Sequence, residues 1–149
     1  MSTDRELLVL AAKAAGLTVN ATKQAERDAA GADHLGLWTT DKTNWNPLTD
    51  DGHALCLAVK MGVEFIFRAD QNYYVAAHKS ESLRSRYTKH PRGITVPYVP
   101  ESMFSSDDPS EVSHANYLVD VRGLVRGVEA ATRRAIVRVA ADIGKAVPA

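Results

Sequence analysis

Hydrophobic positions along the chain form helical stripes separated by alternating, strand-like runs. Leu7, Leu8, Leu10, Ala11, Ala14 and Ala15 recur at helical spacing behind Thr3-x-x-Glu6, the pattern of a capping box, and Gly16 is placed to end that helix. Ala54, Leu55, Leu57, Ala58 and Met61 give a second helix a wide apolar face, with Thr49 or Asp50 able to cap it and Gly62 to stop it. Asp108-Pro109 can open a third, with proline at its first position and Val112, Ala115 and Val119 on one face. A last helix over 128–143 turns Val128, Ala131, Ala135, Ile136, Val139 and Ile143 inward.

The strand signal is clearest at 63–68, where Val63, Phe65 and Phe67 alternate with Glu64, Ile66 and Arg68. A turn at 69–72 and a returning run at 73–78 make this a hairpin, which puts Tyr73 and Tyr74 on opposite faces, one for the core and one available. Residues 94–98 can add an edge strand or none, since Pro97 has no N–H to donate to a ladder. Residues 17–23 read as a strand pairing with 35–40, and 24–33 as a surface loop between them. The segment 39–47 is a dense turn cluster. The order is helix, two strands, helix, two or three strands, helix. That predicts one α+β domain over 1–149: a mostly antiparallel sheet of four to five strands with three to four helices packed on it.

Composition adds limits rather than identity. A hydrophobic fraction of 45% and a charged fraction of 24% suit a globular chain able to bury a core. With 18 charges of each sign, no net field draws in duplex nucleic acid or an anionic membrane. No apolar run approaches the roughly 18 residues of a membrane span. The polar start, Met1 to Glu6, lacks the layout of a signal peptide. Cys56 is the single cysteine, which suits a reducing compartment, and it reads as a small buried hydrophobe between Leu55 and Leu57. The expected location is cytosolic.

Nothing in the chain points to catalysis or a cofactor. It has no phosphate loop, HExxH or nucleophile elbow, and its five histidines fall in separate segments without metal-ligand spacing. His53 reads as an exposed residue in the first turn of its helix. Binding chemistry has more support. Trp45 with Asn44 and Asn46 forms either a stacking platform with amide hydrogen bonds or a core plug with a turn. The stretch 79–92 carries five basic residues against Glu81, and Arg84, Arg86 and Tyr87 within it suit phosphate forks and base stacking. The acidic segment 101–120 can neutralise it. Arg133, Arg134 and Arg138 lie on the last helix with Arg126 and Lys145 at its ends; Arg134 and Arg138 share a face and Arg133 lies beside them.

The run from Trp45 to Lys60 (WNPLTDDGHALCLAVK) resembles a stretch of small phage and prophage proteins, in which Asn-Pro-x-Thr-Asp leads into an Ala-rich helix. Glu129 to Arg138 (EAATRRAIVR) is similar to their C-terminal helix. Together the two blocks look like the phage α-β-α sandwich proteins; 79–127 has no counterpart among them. The resemblance implies an accessory protein acting by occupancy rather than turnover. One class of such proteins sequesters nucleotide signals of bacterial immunity, cyclic oligonucleotides or cyclic ADP-ribose isomers, in pockets between subunits of homo-oligomers. Others block a host protein complex. No ligand residue carries over from the resemblance.

The expectation is therefore a non-enzymatic, homo-oligomeric binder of a small anionic nucleotide. Its candidate ligand residues are Trp45, Asn46, Tyr74, Arg84, Arg86, Tyr87, Arg133 and Arg134. The rival expectation is an inhibitor module that uses its segregated charge to dock on a host protein. A hydrolase would instead need His and Asp clustered in a pocket.

Overall fold

The computed structural model describes residues 3–32, 36–69, 73–79 and 94–148. Thr3 and Glu6 form the expected capping box: the Glu6 N–H donates to Thr3 Oγ1 at 3.2 Å and the Thr3 N–H to Glu6 Oε2 at 2.9 Å. They open α1 (Asp4–Ala14). Asp50 caps α3 (Asp51–Met61), accepting from the His53 N–H at 2.8 Å. Asp108 caps α5 (Pro109–Asp120), and α6 spans Val128–Lys145. A short α4 (Glu101–Phe104) precedes α5.

Residues 17–23 correct the sequence reading. Val19 makes one isolated bridge to Thr39, and the chain then turns into α2 (Ala21–Ala29), which takes the last three residues of the expected strand and runs on into the span expected to be a loop. Asn20 is the reason: its Oδ1 accepts from the Lys23 N–H at 3.0 Å, capping the helix where a strand was expected to continue. The turn cluster holds a strand of its own. β1 (Leu37–Trp38) pairs with β2 (Asn44–Trp45), both drawn from the region read as turns and a partner strand.

The main sheet runs in the order β3-β4-β5-β6, with β3 (Val63–Ala69), β4 (Tyr73–Lys79), β5 (Ile94–Val99) and β6 (Val125–Arg126). β3–β4 and β4–β5 are antiparallel but β5–β6 is parallel, so the sheet is mixed, not mostly antiparallel. β5 also lies between two strands rather than at an edge. Proline fits there because the β4 ladder covers 94–97 and the β6 ladder only 98–99, so Pro97 sits where one ends and the other begins. The described residues hold six helices, more than the three to four expected.

α6 is the shared wall of two cores. Ile136, Val137, Ala140 and Ala141 pack with Leu7, Leu8 and Ala11 of α1, Leu57 of α3, and Leu37 and Trp45 of the small hairpin. Ala131, Ala135 and Val139 pack instead against Val75, Ala77, Val96 and Tyr98 of the sheet. The α1–α6 contact is close enough to require glycine: a Cβ at Gly144 would fall 1.9 Å from the Leu10 carbonyl oxygen. The layers are thus α1 with α3, then α6, then the sheet.

Candidate functional site

With α1 and α3 on one side of α6 and the sheet on the other, one stripe of the helix remains open. Ala130, Arg134, Arg138, Asp142 and Lys145 lie along it at spacings of three and four residues. They form the floor of a groove of about 820 Å³ whose apolar walls include Leu7, Leu48, Ile94, Leu124 and Val125. Arg134 Nη2 donates to Asp4 Oδ1 at 2.9 Å, and Lys145 Nζ stands 3.5 Å from Asp142 Oδ1. Arg138 Nη1 reaches the Thr95 carbonyl at 3.5 Å, a long contact, and has no carboxylate partner among the described residues. Its guanidinium presents planar donors at a half-buried position, which is the chemistry that grips an oxyanion.

The eight residues singled out in the sequence part company. Trp45 is 9% exposed and packed in the first core, the position of the core plug that its sequence context also allowed. Asn46 is buried and shapes the loop: its Oδ1 accepts from the Leu48 N–H at 3.1 Å, and its own N–H donates to His53 Nδ1 at 3.0 Å. His53 is therefore half-buried and engaged. Arg133, one position from Arg134, is turned about 100° around the helix. It faces α3, with Nε donating to the Leu48 carbonyl at 2.9 Å and Nη1 to Asp51 Oδ1 at 2.6 Å. Tyr74 is half-buried on the face of β4 opposite Val75 and Ala77, while Tyr73 sits against Tyr98 with ring centroids 5.8 Å apart. Arg84, Arg86 and Tyr87 lie outside the described residues. Of the eight, Arg134 lines the groove. Arg138 and Lys145 join it, four and eleven positions on, a spacing the sequence displays but one that selects a site only once the other faces of α6 are filled.

The hydrogen bond from the His53 backbone N–H holds the Asp50 carboxyl below its ordinary value of 3.8. Asp108 is lowered the same way by the Ser110 hydroxyl and N–H, and Asp28 by the Gln24 amide and then Arg5. Asp50 and Asp108 thereby anchor the starts of α3 and α5, and Asp28 ties α2 to Arg5 of α1.

A second concavity, about 390 Å³, lies between α3, β3 and the start of α6, with Leu55, Phe65, Phe67 and Ile136 around it. It opens onto an apolar face: Leu55 is 60% exposed, Val59 75% and Phe67 53%. Cys56 is exposed on the same helix, contrary to its expected burial, because α3 turns Ala54, Leu57 and Ala58 to the core.

Among the described residues, no group of three or more His, Cys, Asp or Glu is arranged to hold a metal ion, and no helix is long and apolar enough to cross a membrane. Comparison with protein-family models, with curated proteins and with solved structures gives no match to this chain.

Proposed function

We propose that this protein is a non-enzymatic binding protein that captures a small phosphate-bearing molecule in the groove along α6. The carrying observation is Arg138, a guanidinium between Arg134 and Lys145 on a groove floor, without a carboxylate partner among the described residues. Three cations in one row suit a ligand with more than one phosphate oxygen to grip. The aliphatic walls suit its apolar body, and contact with Leu48 and Ile94 takes the part that aromatic stacking held in the sequence reading. Capture needs no catalytic group. The likeness of residues 45–60 and 129–138 to phage accessory proteins supports a nucleotide signal as the cargo and sequestration as its use.

A thermal-shift screen against nucleotides and cyclic dinucleotides tests the reading. A ligand at a hundredfold its dissociation constant stabilises by about 2.7 kcal/mol, which for a domain of this size raises the melting temperature by about 5 °C or more. Arg138→Glu is expected to abolish the shift while leaving the unliganded melting temperature within about 2 °C. No shift across the panel, or an equal shift in Arg138→Glu, rejects the groove as the site.

A further inference from the structure

β3 is the terminal strand of the four-stranded sheet, and among the described residues nothing pairs with its outer edge. It is seven residues long, with neither proline nor lysine, and Phe65, Ile66 and Phe67 on it are all exposed. Natural sheets blunt such an edge with proline, lysine, a bulge or a covering element, because free N–H and C=O groups beside apolar side chains pair with any strand that arrives. Here the register with β4 runs unbroken from Val63 to Ala69, without a bulge.

We propose that a second copy of this chain covers the edge, β3 against β3 in antiparallel register about a two-fold axis at Ile66, making one eight-stranded sheet. The strand's own sequence selects this occupant. A two-fold axis perpendicular to the sheet keeps each side chain on its face, so residues of like parity must pair. Centring on Ile66 sets Phe65 opposite Phe67 of the second copy and Ile66 opposite itself. It also sets Glu64 opposite the register position of Arg68, acidic against basic. Moving the axis to Phe65 or Phe67 puts Glu64 or Arg68 opposite Ile66 instead. Only the Ile66 centre matches charge with charge and ring with ring. The same axis brings α3 of both copies to one side of the seam, where Leu55 and Val59, four residues apart on one helix face, extend the apolar surface. The α6 groove, walled by residues of β5 and β6, lies toward the other end of the strand order, so the seam does not depend on it.

Sedimentation velocity on the full chain at micromolar concentration reads the outcome. The expected species has twice the 16.2 kDa chain mass. Ile66→Lys sets two like charges face to face on the axis and is expected to give monomer with an unchanged far-UV spectrum. Glu64→Arg weakens association about tenfold or more by opposing two cations, and Glu64→Arg with Arg68→Glu restores it by exchanging the signs. A monomeric parent chain, whether alone or paired with an unrelated strand, overturns the proposal. So does a dimer indifferent to Ile66→Lys, or one weakened equally by the single and double reversals.

Discussion

Gly144 tolerates no side chain. The Leu10 carbonyl oxygen occupies the place where its Cβ would project, and this is backbone, which cannot swing aside like a flexible side chain. Gly144→Ala must therefore push α1 away from α6 along a seam built from Ala11, Ala12, Ala140 and Ala141. The expected loss is about 3 kcal/mol, the upper end for overpacking a close contact, read as a lower urea midpoint with an unchanged slope. Had Gly144 served only to end the helix, alanine would be neutral or slightly stabilising. Its role was hidden in the sequence, where a glycine near a helix end looks the same whether it frees the backbone or admits a neighbour. His53 was hidden in another way. Its first-turn position gave no sign that Nδ1 would accept the N–H of Asn46, seven residues back.

At the scale of elements, legibility followed apolar content. α1, α3 and α6 each bury a stripe of Leu, Ile, Val or Ala, and each could be read from that stripe alone. α2 buries Gln24 and nothing else among its nine residues. It is held by polar pins: Gln24 Oε1 accepts from the Trp38 N–H at 2.7 Å while its Nε2 donates to Asp28 Oδ1 at 3.0 Å, and Arg5 reaches the same carboxylate at 2.7 Å. No periodicity rule sees a helix whose anchors are hydrogen bonds to residues 14 and 23 positions away. Gln24→Ala strands the Trp38 N–H and is expected to cost about 1–3 kcal/mol. Native-state hydrogen exchange would register it as faster exchange at Trp38 and along α2, with α6 amides tracking only the global change. Equal acceleration everywhere would mean that α2 is not a separate unit. The parallel β6 was missed for a related reason. It is two residues long and its register partners lie 27 positions earlier, so only the course of α5 brings them together.

For the molecule as a whole, acid is the expected weak side. Asp28, Asp50 and Asp108 each have a folded-state carboxyl below the ordinary 3.8. The unfolded chain therefore takes up protons first as pH falls. Their stabilisation is complete above the unfolded value and is lost progressively as pH drops through 3.8 toward the lower folded values. Melting temperature should decline over that window. Asp50→Asn and Asp108→Asn should flatten the decline while still capping their helices, since asparagine accepts the same hydrogen bonds. A slope unmoved by both substitutions would assign the acid sensitivity to other carboxyls. The groove was partly legible at this scale: the Arg134–Arg138 spacing is in the sequence, but its selection over Arg133 required knowing which sides of α6 were taken. Trp45 stayed open between platform and plug because an indole beside Asn-Pro reads alike until its neighbours are known, and its place in the first core is that of the plug.

α6 joins both cores, yet it begins at residue 128, after every other described element has been made. On the ribosome, the sheet and the α1–α3 pair emerge without the surface that either is built to meet, and must wait for it. The contacts that complete them span more than a hundred residues, as between α1 and α6, so closure is late and entropically costly. Until then Val75, Val96, Leu8 and Leu57 lack the α6 side chains they pack against, a condition that invites association with other nascent chains. Synthesis interrupted before Val128 should therefore leave an insoluble fragment rather than a smaller working protein.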